Sequence, residues 1–104
     1  MTNEQVYCDL ADELQNNIIS GEYEWENIAV TMPIEGYNGF GIVVWCDEEI
    51  FEKYYTVTIR ENYTPDEWGN DIICESTDTE DFEELENVVN SVLNKFYNKQ
   101  YITR

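Results

Sequence analysis

Residues 39–46 read Gly-Phe-Gly-Ile-Val-Val-Trp-Cys, the one long apolar run in the chain. Ile42, Val43, Val44 and Trp45 put bulk on both faces of an extended strand, so neither face should meet water freely. Such a strand belongs in the interior of a sheet, with a neighbour on each side. Asn38-Gly39 just before it suits the centre of a two-residue type I′ turn, where both positions need positive φ. The chain is therefore expected to build a sheet around this run, entered through a tight hairpin.

At 104 residues the chain makes one domain, spanning 1–104, and can bury one modest core without staples. Its 14% aromatic content separates it from acidic disordered chains, which lack aromatics. No apolar run approaches the roughly 18 residues that mark a membrane span. The opening Met-Thr-Asn-Glu-Gln has no basic stretch leading into an apolar one, so no secretory signal is expected. Cys8, Cys46 and Cys74 are odd in number and widely spaced, and there are no histidines. That argues against a disulfide framework or a zinc site. It favours three small buried hydrophobes in a reducing cytosol.

Taken in order, residues 3–20 repeat Val6, Tyr7, Leu10, Ala11, Leu14 and Ile18 at helical spacing. Asp9, Asp12 and Glu13 fall off that face, and Gly21 suits a left-handed cap. Residues 23–34 read as a first strand, with Ile28, Val30, Met32 and Ile34 on one face and Pro33 marking an edge. Extended, its start would line up Glu22, Glu24 and Glu26 about 6.5–7 Å apart. With Asn38-Gly39 at the turn centre, Ile34 should oppose Val43 and Met32 should oppose Trp45. Residues 53–61 form a third strand, with Tyr55, Val57 and Ile59 on one face. A turn-rich loop over 64–70 leads to a fourth strand at 71–76. A last helix is expected over 80–98, with Phe82, Leu85, Val88, Val89, Val92, Leu93 and Phe96 as its stripe and Thr77 with Glu80 as a capping box. The expected fold is α+β: a four-stranded antiparallel meander with the N- and C-terminal helices on one face, αββββα.

Enzymatic chemistry has little to stand on. Histidine, the commonest general base, is absent from the sequence. The glycines at 36, 39 and 41 lack the lysine of a phosphate-binding loop. Residues 66–71 resemble a calcium loop in their acids, but Trp68 and Gly69 stand where further ligands belong. The chain is expected to be no enzyme and to use no metal or cofactor.

The remaining signal is charge. Twenty-three acids and five Lys or Arg give a formal net charge of -18. Twelve acids precede the first base, Lys53, and eleven acids fall between Glu61 and Asn94 with no base among them. Self-repulsion at this density opposes compaction, so solubility alone explains it poorly. Direct binding to nucleic acid is repelled. A folded body carrying many carboxylates can instead imitate a phosphate track and enter the basic groove of a nucleic-acid-binding protein. The candidate contact residues are Glu22, Glu24 and Glu26; Asp47, Glu48, Glu49 and Glu52; Asp66, Glu67 and Asp71; and Asp78, Glu80, Asp81, Glu83 and Glu84, extending to Glu86. Phe51, Tyr63 and Trp68 sit among them as candidate apolar anchors.

In size, charge and all-round acidic display the chain resembles the small acidic inhibitors that phages carry against host defence. These are anti-CRISPR and anti-restriction proteins that look like DNA to their targets. The resemblance involves no matched motif. It implies stoichiometric blockade of a basic nucleic-acid-binding protein, a nuclease or CRISPR effector, inside a bacterial cytoplasm, by a monomer or homodimer with no membrane contact. Two alternatives share the composition: an immunity protein that neutralises a basic toxin, and a structural or regulatory domain that self-associates through an uncovered sheet face bearing Trp45, Tyr54, Thr56 and Thr58.

Overall fold

A computed structural model describes residues 2–64, 66–67 and 69–99. The expected αββββα order is present. Helix α1 (Asn3–Ser20) leads to strands β1 (Ala29–Pro33), β2 (Phe40–Glu49), β3 (Glu52–Glu61) and β4 (Asn70–Ser76), and helix α2 (Phe82–Tyr97) closes the chain. The strands form one antiparallel sheet in the order β1-β2-β3-β4. The apolar run is thus an interior strand, and residues 41–44 are buried.

Each helix begins and ends for a local reason. Thr2 Oγ1 accepts from the Gln5 amide while Gln5 Oε1 accepts from the Thr2 amide, a reciprocal cap at the start of α1. Gly21 ends α1 in the left-handed region at φ 66. Helix α2 starts two residues later than the sequence predicts, and the Thr77–Glu80 capping box does not form. The Thr77 hydroxyl is used elsewhere: it accepts from the Tyr55 amide and donates to the Thr79 carbonyl. Asp81 occupies the cap position without a side-chain cap bond.

The first strand is shorter than expected. Before it, Trp25–Asn27 turn as a 3₁₀ helix, with the Asn27 amide donating to the Glu24 carbonyl and the Ile28 amide to the Trp25 carbonyl. Glu22, Glu24 and Glu26 therefore do not share one face of a strand. The turn is favoured because it lays the Trp25 ring 5.4 Å from the Tyr55 ring, half-buried against the core.

The β1–β2 register also differs. Val30 pairs with Val44 and Met32 with Ile42, and the Ile34 amide donates to the Phe40 carbonyl. The loop between them is residues 35–39, with positive φ at Gly36 and Gly39 but not at Asn38, so no type I′ turn forms. The shift is an odd number of residues, which moves Val43 and Trp45 to the other side of the sheet. The helix-facing layer becomes Ile28, Val30, Met32, Ile34, Phe40, Ile42, Val44 and Cys46, continued by Tyr55, Val57 and Ile59. This register brings Phe40 to 5.1 Å from Phe96 of α2, a contact the expected pairing would have forfeited.

Leu10 and Leu14 of α1 and Leu85, Val89, Val92, Leu93 and Phe96 of α2 complete the core. Among the described residues no helix covers the opposite layer. There the guanidinium of Arg60 lies 4.6 Å from the Trp45 ring centre and its Nε stands 2.6 Å from Asp71 Oδ1. Gly41 leaves room for the Tyr63 ring: a Cβ at that position would lie 2.6 Å from Tyr63 Cγ. Beneath these groups Val43 and Thr58 are fully buried. Of the cluster expected to serve self-association, Thr58 is buried, while Trp45, Tyr54 and Thr56 are half-buried. Cys46 is buried as expected, whereas Cys8 and Cys74 are exposed on the outer side of α1 and on the edge strand β4.

Candidate functional site: an acidic end of the sheet

The meander places three of the four acidic runs together. Strand β2 ends, β3 begins, β1 is entered and α2 begins at the same end of the strands. Tyr55 binds these pieces to one another. Its ring lies between Trp25 at 5.4 Å and Phe82 at 6.1 Å, and its hydroxyl donates to the Glu80 carbonyl at 2.8 Å. Trp25 Nε1 donates to the Asp47 carbonyl, and the Tyr7 hydroxyl of α1 donates to the Phe82 carbonyl. Burial raises the Tyr55 phenol well above its ordinary range, with Cys46 and Glu80 adding to the effect.

Around this aromatic clasp stand Glu22, Glu24, Glu26, Asp47, Glu48, Glu49, Glu52, Asp78, Glu80, Asp81, Glu83 and Glu84. All are exposed except Asp47 and Glu84, which are half-buried. Among the described residues Lys53 is the one base at this end, and its ammonium lies 5.3 Å from the Trp25 ring centre. The other described bases, Arg60, Lys95 and Lys99, lie nearer the opposite end of the strands.

The β2–β3 hairpin distributes its acids by strand alternation. Glu48 pairs with Lys53 towards the helix side, while Asp47 and Glu49 pair with Tyr54 and Glu52 towards the open side. On the open side, Thr56 Oγ1 donates to Asp47 Oδ2, and the Tyr54 hydroxyl donates to Glu49 Oε1 at 3.4 Å. Glu48 and Glu52 project from the hairpin into solvent.

The fourth run is elsewhere. Asp66 and Glu67 belong to the β3–β4 loop at the far end, where the Thr64 amide donates to the Glu67 carbonyl and the Glu67 amide to Thr64 Oγ1. Asp71 is paired with Arg60 across the sheet. Of the three candidate anchors, Phe51 is fully exposed at the hairpin tip, Tyr63 packs on Gly41, and Trp68 lies outside the described residues. Ile50, which sequence reasoning passed over, stands exposed beside Phe51. Its position in an acidic connection was visible, but a lone isoleucine there reads as packing until the hairpin is known.

Chemically, this end offers many full negative charges on a frame held by buried aromatics. It suits charge-assisted hydrogen bonds from Lys or Arg of another molecule. Among the described residues no group of three or more acids and cysteines is arranged to hold a metal ion, and no helix is long and apolar enough to cross a membrane. Comparison with protein families, curated proteins and solved structures finds no match for this chain.

Proposed function

We propose that this protein is a non-enzymatic inhibitor that occupies the basic nucleic-acid-binding groove of a nuclease or other defence protein, using carboxylates in place of phosphates. One observation carries this reading: three acidic runs separated in sequence gather at one end of the sheet, with Lys53 as the one base there among the described residues. A surface kept soluble by scattered charge has no need of such segregation. Long-range attraction steers the acidic end into a cationic groove, and short charge-assisted bonds then hold it.

The test uses the full chain as bait in a bacterial lysate washed with rising salt. A basic nucleic-acid-binding protein should be retained, released by salt and displaced by added DNA or RNA. Its affinity should fall at least about tenfold on reversing Glu48, Glu49 and Glu52 to Lys, against less than about threefold for Asp66 and Glu67. Equal losses at the two ends, or a retained partner that nucleic acid does not displace, would sink the proposal.

A further inference from the structure

The tip of the β2–β3 hairpin is built against the ordinary rules for such a turn. Ile50 and Phe51 form its two-residue loop, closed by the cross-strand pair Glu49–Glu52. Favoured two-residue turns take positive φ at the first central position or at both, and use Gly, Asn or Asp there. Here Phe51, at the second position, has φ 65, a region that side chains with a bulky Cβ substituent avoid. Phe51 is 100% exposed and Ile50 86%, the two highest values among the described large apolar side chains. Glu49 and Glu52 oppose each other directly, a like-charge pair that weakens the ladder. Asn-Gly at these two loop positions would fit the turn and expose no large apolar side chain. Local rules broken together at a protruding point mark a place shaped for contact rather than for folding.

The charge around the tip selects what it can contact. Glu48, Glu49 and Glu52 flank the two apolar side chains, and Lys53 is turned onto Trp25. Nucleic acid, an anionic membrane or a second copy of this chain would each bring negative charge against that flank. A surface that buries Ile50 and Phe51 must be apolar at its centre and cationic at its edge.

Resting on the charge reading above, we infer that Ile50 and Phe51 are an apolar plug that enters a hydrophobic pocket rimmed by Lys or Arg on a basic protein. Glu48, Glu49 and Glu52 pair with the rim. Recognition then has two parts. The carboxylates answer the cations of the groove, and the plug adds a contact that a phosphate track lacks. A desolvated apolar centre within a charged rim is the usual layout of a strong interface contact. Salt weakens the first part and leaves the second.

Two synthetic peptides of equal positive charge test this on the full chain: an oligolysine, and a Lys/Leu amphipathic helix whose Leu stripe runs between rows of Lys. Amide NMR shifts are followed at low and high salt. The Lys/Leu peptide should bind at least about tenfold more tightly, with the largest shifts at the hairpin tip, and should keep its preference in high salt. I50S/F51S should abolish the preference and leave oligolysine binding within about twofold, with an unchanged spectrum away from the tip. Ile19→Ser, at a residue 72% exposed at the end of α1, should leave the preference intact. The plug is overturned if the wild type shows no preference, if I50S/F51S retains it, or if Ile19→Ser removes it. Failure of oligolysine to bind at low salt would overturn the charge reading on its own, while the behaviour of the Lys/Leu peptide still decides the plug.

Discussion

Trp25 Nε1 donates to the backbone carbonyl of Asp47 across 2.8 Å, tying the chain that enters β1 to the base of the β2–β3 hairpin. The bond uses the main chain of Asp47 and leaves its carboxylate to Thr56. Trp25→Phe should keep an aromatic ring against Tyr55 but lose this bond. The expected cost is about 1 kcal/mol, measured as a lower urea midpoint with an unchanged slope. No change in midpoint would mean that the bond is replaced by water.

Gly41 is fixed by its neighbour rather than by its backbone angle. A methyl group there would enter the Tyr63 ring. Gly41→Ala should destabilise the protein by about 1–3 kcal/mol. In a Tyr63→Ala background the same change should cost much less, because the obstruction is gone. Additive losses in this double-mutant cycle would place the clash elsewhere.

Phe51 sits in the left-handed region with its side chain wholly in water. Replacing it with glycine removes the steric penalty and sacrifices no buried area. Phe51→Gly should therefore raise stability by about 0.5–1 kcal/mol in urea unfolding. If the hairpin tip is the apolar plug proposed above, the same variant should bind the Lys/Leu peptide less tightly, so stability and affinity move in opposite directions. A destabilised Phe51→Gly would show that the side chain packs in the folded protein.

Alkaline stability has a defined sign. Burial pushes the Cys46 thiol up to about 12, with Asp47 adding to the effect, and the Tyr55 phenol is raised as well. Both groups are neutral when protonated. The folded chain keeps these protons, while an unfolded chain releases them near about 8.5 and 10. Their contribution is fully present below those values and declines as pH rises, by about 1.4 kcal/mol per pH unit for each proton held, until the folded pKa is reached. The urea midpoint should be flat around neutral pH with respect to these groups and fall above about pH 9. Cys46→Ala should make the decline shallower between about pH 9 and 10, before the unfolded tyrosine titrates. A Cys46 thiol that reacts with a thiol reagent as fast as exposed Cys8 and Cys74 would contradict this picture.

The strand order and the helix-facing stripe of α2 were legible because they depend on periodicity: Val57 and Ile59 alternate, and Leu85, Val89, Val92 and Phe96 recur at helical spacing. The β1–β2 register was not. Asn38-Gly39 is a strong local turn signal, yet the loop closes on Ile34 and Phe40 because Phe40 then reaches Phe96, a contact distant in sequence. The same limit explains Trp25. Its flanking glutamates alternate like a strand, and only the position of Tyr55 makes a 3₁₀ turn preferable. The acidic runs were visible one by one. Their separation into an end that gathers Glu24, Glu49 and Glu80 and a far loop that carries Asp66 depends on strand direction, which no single run encodes. The pairing of Asp71 with Arg60 across the β3–β4 ladder was likewise hidden by the residues between them.

Twelve carboxylates at one end of the strands, with Lys95 and Lys99 towards the other, make the molecule an electric dipole. In the field of a cationic surface such a body feels a torque before it touches anything. On the proposed function, it should turn as it approaches, with the hairpin tip arriving first. Docking on a basic groove would then need no blind rotational search for the right face, so added salt should slow arrival more than it hastens departure.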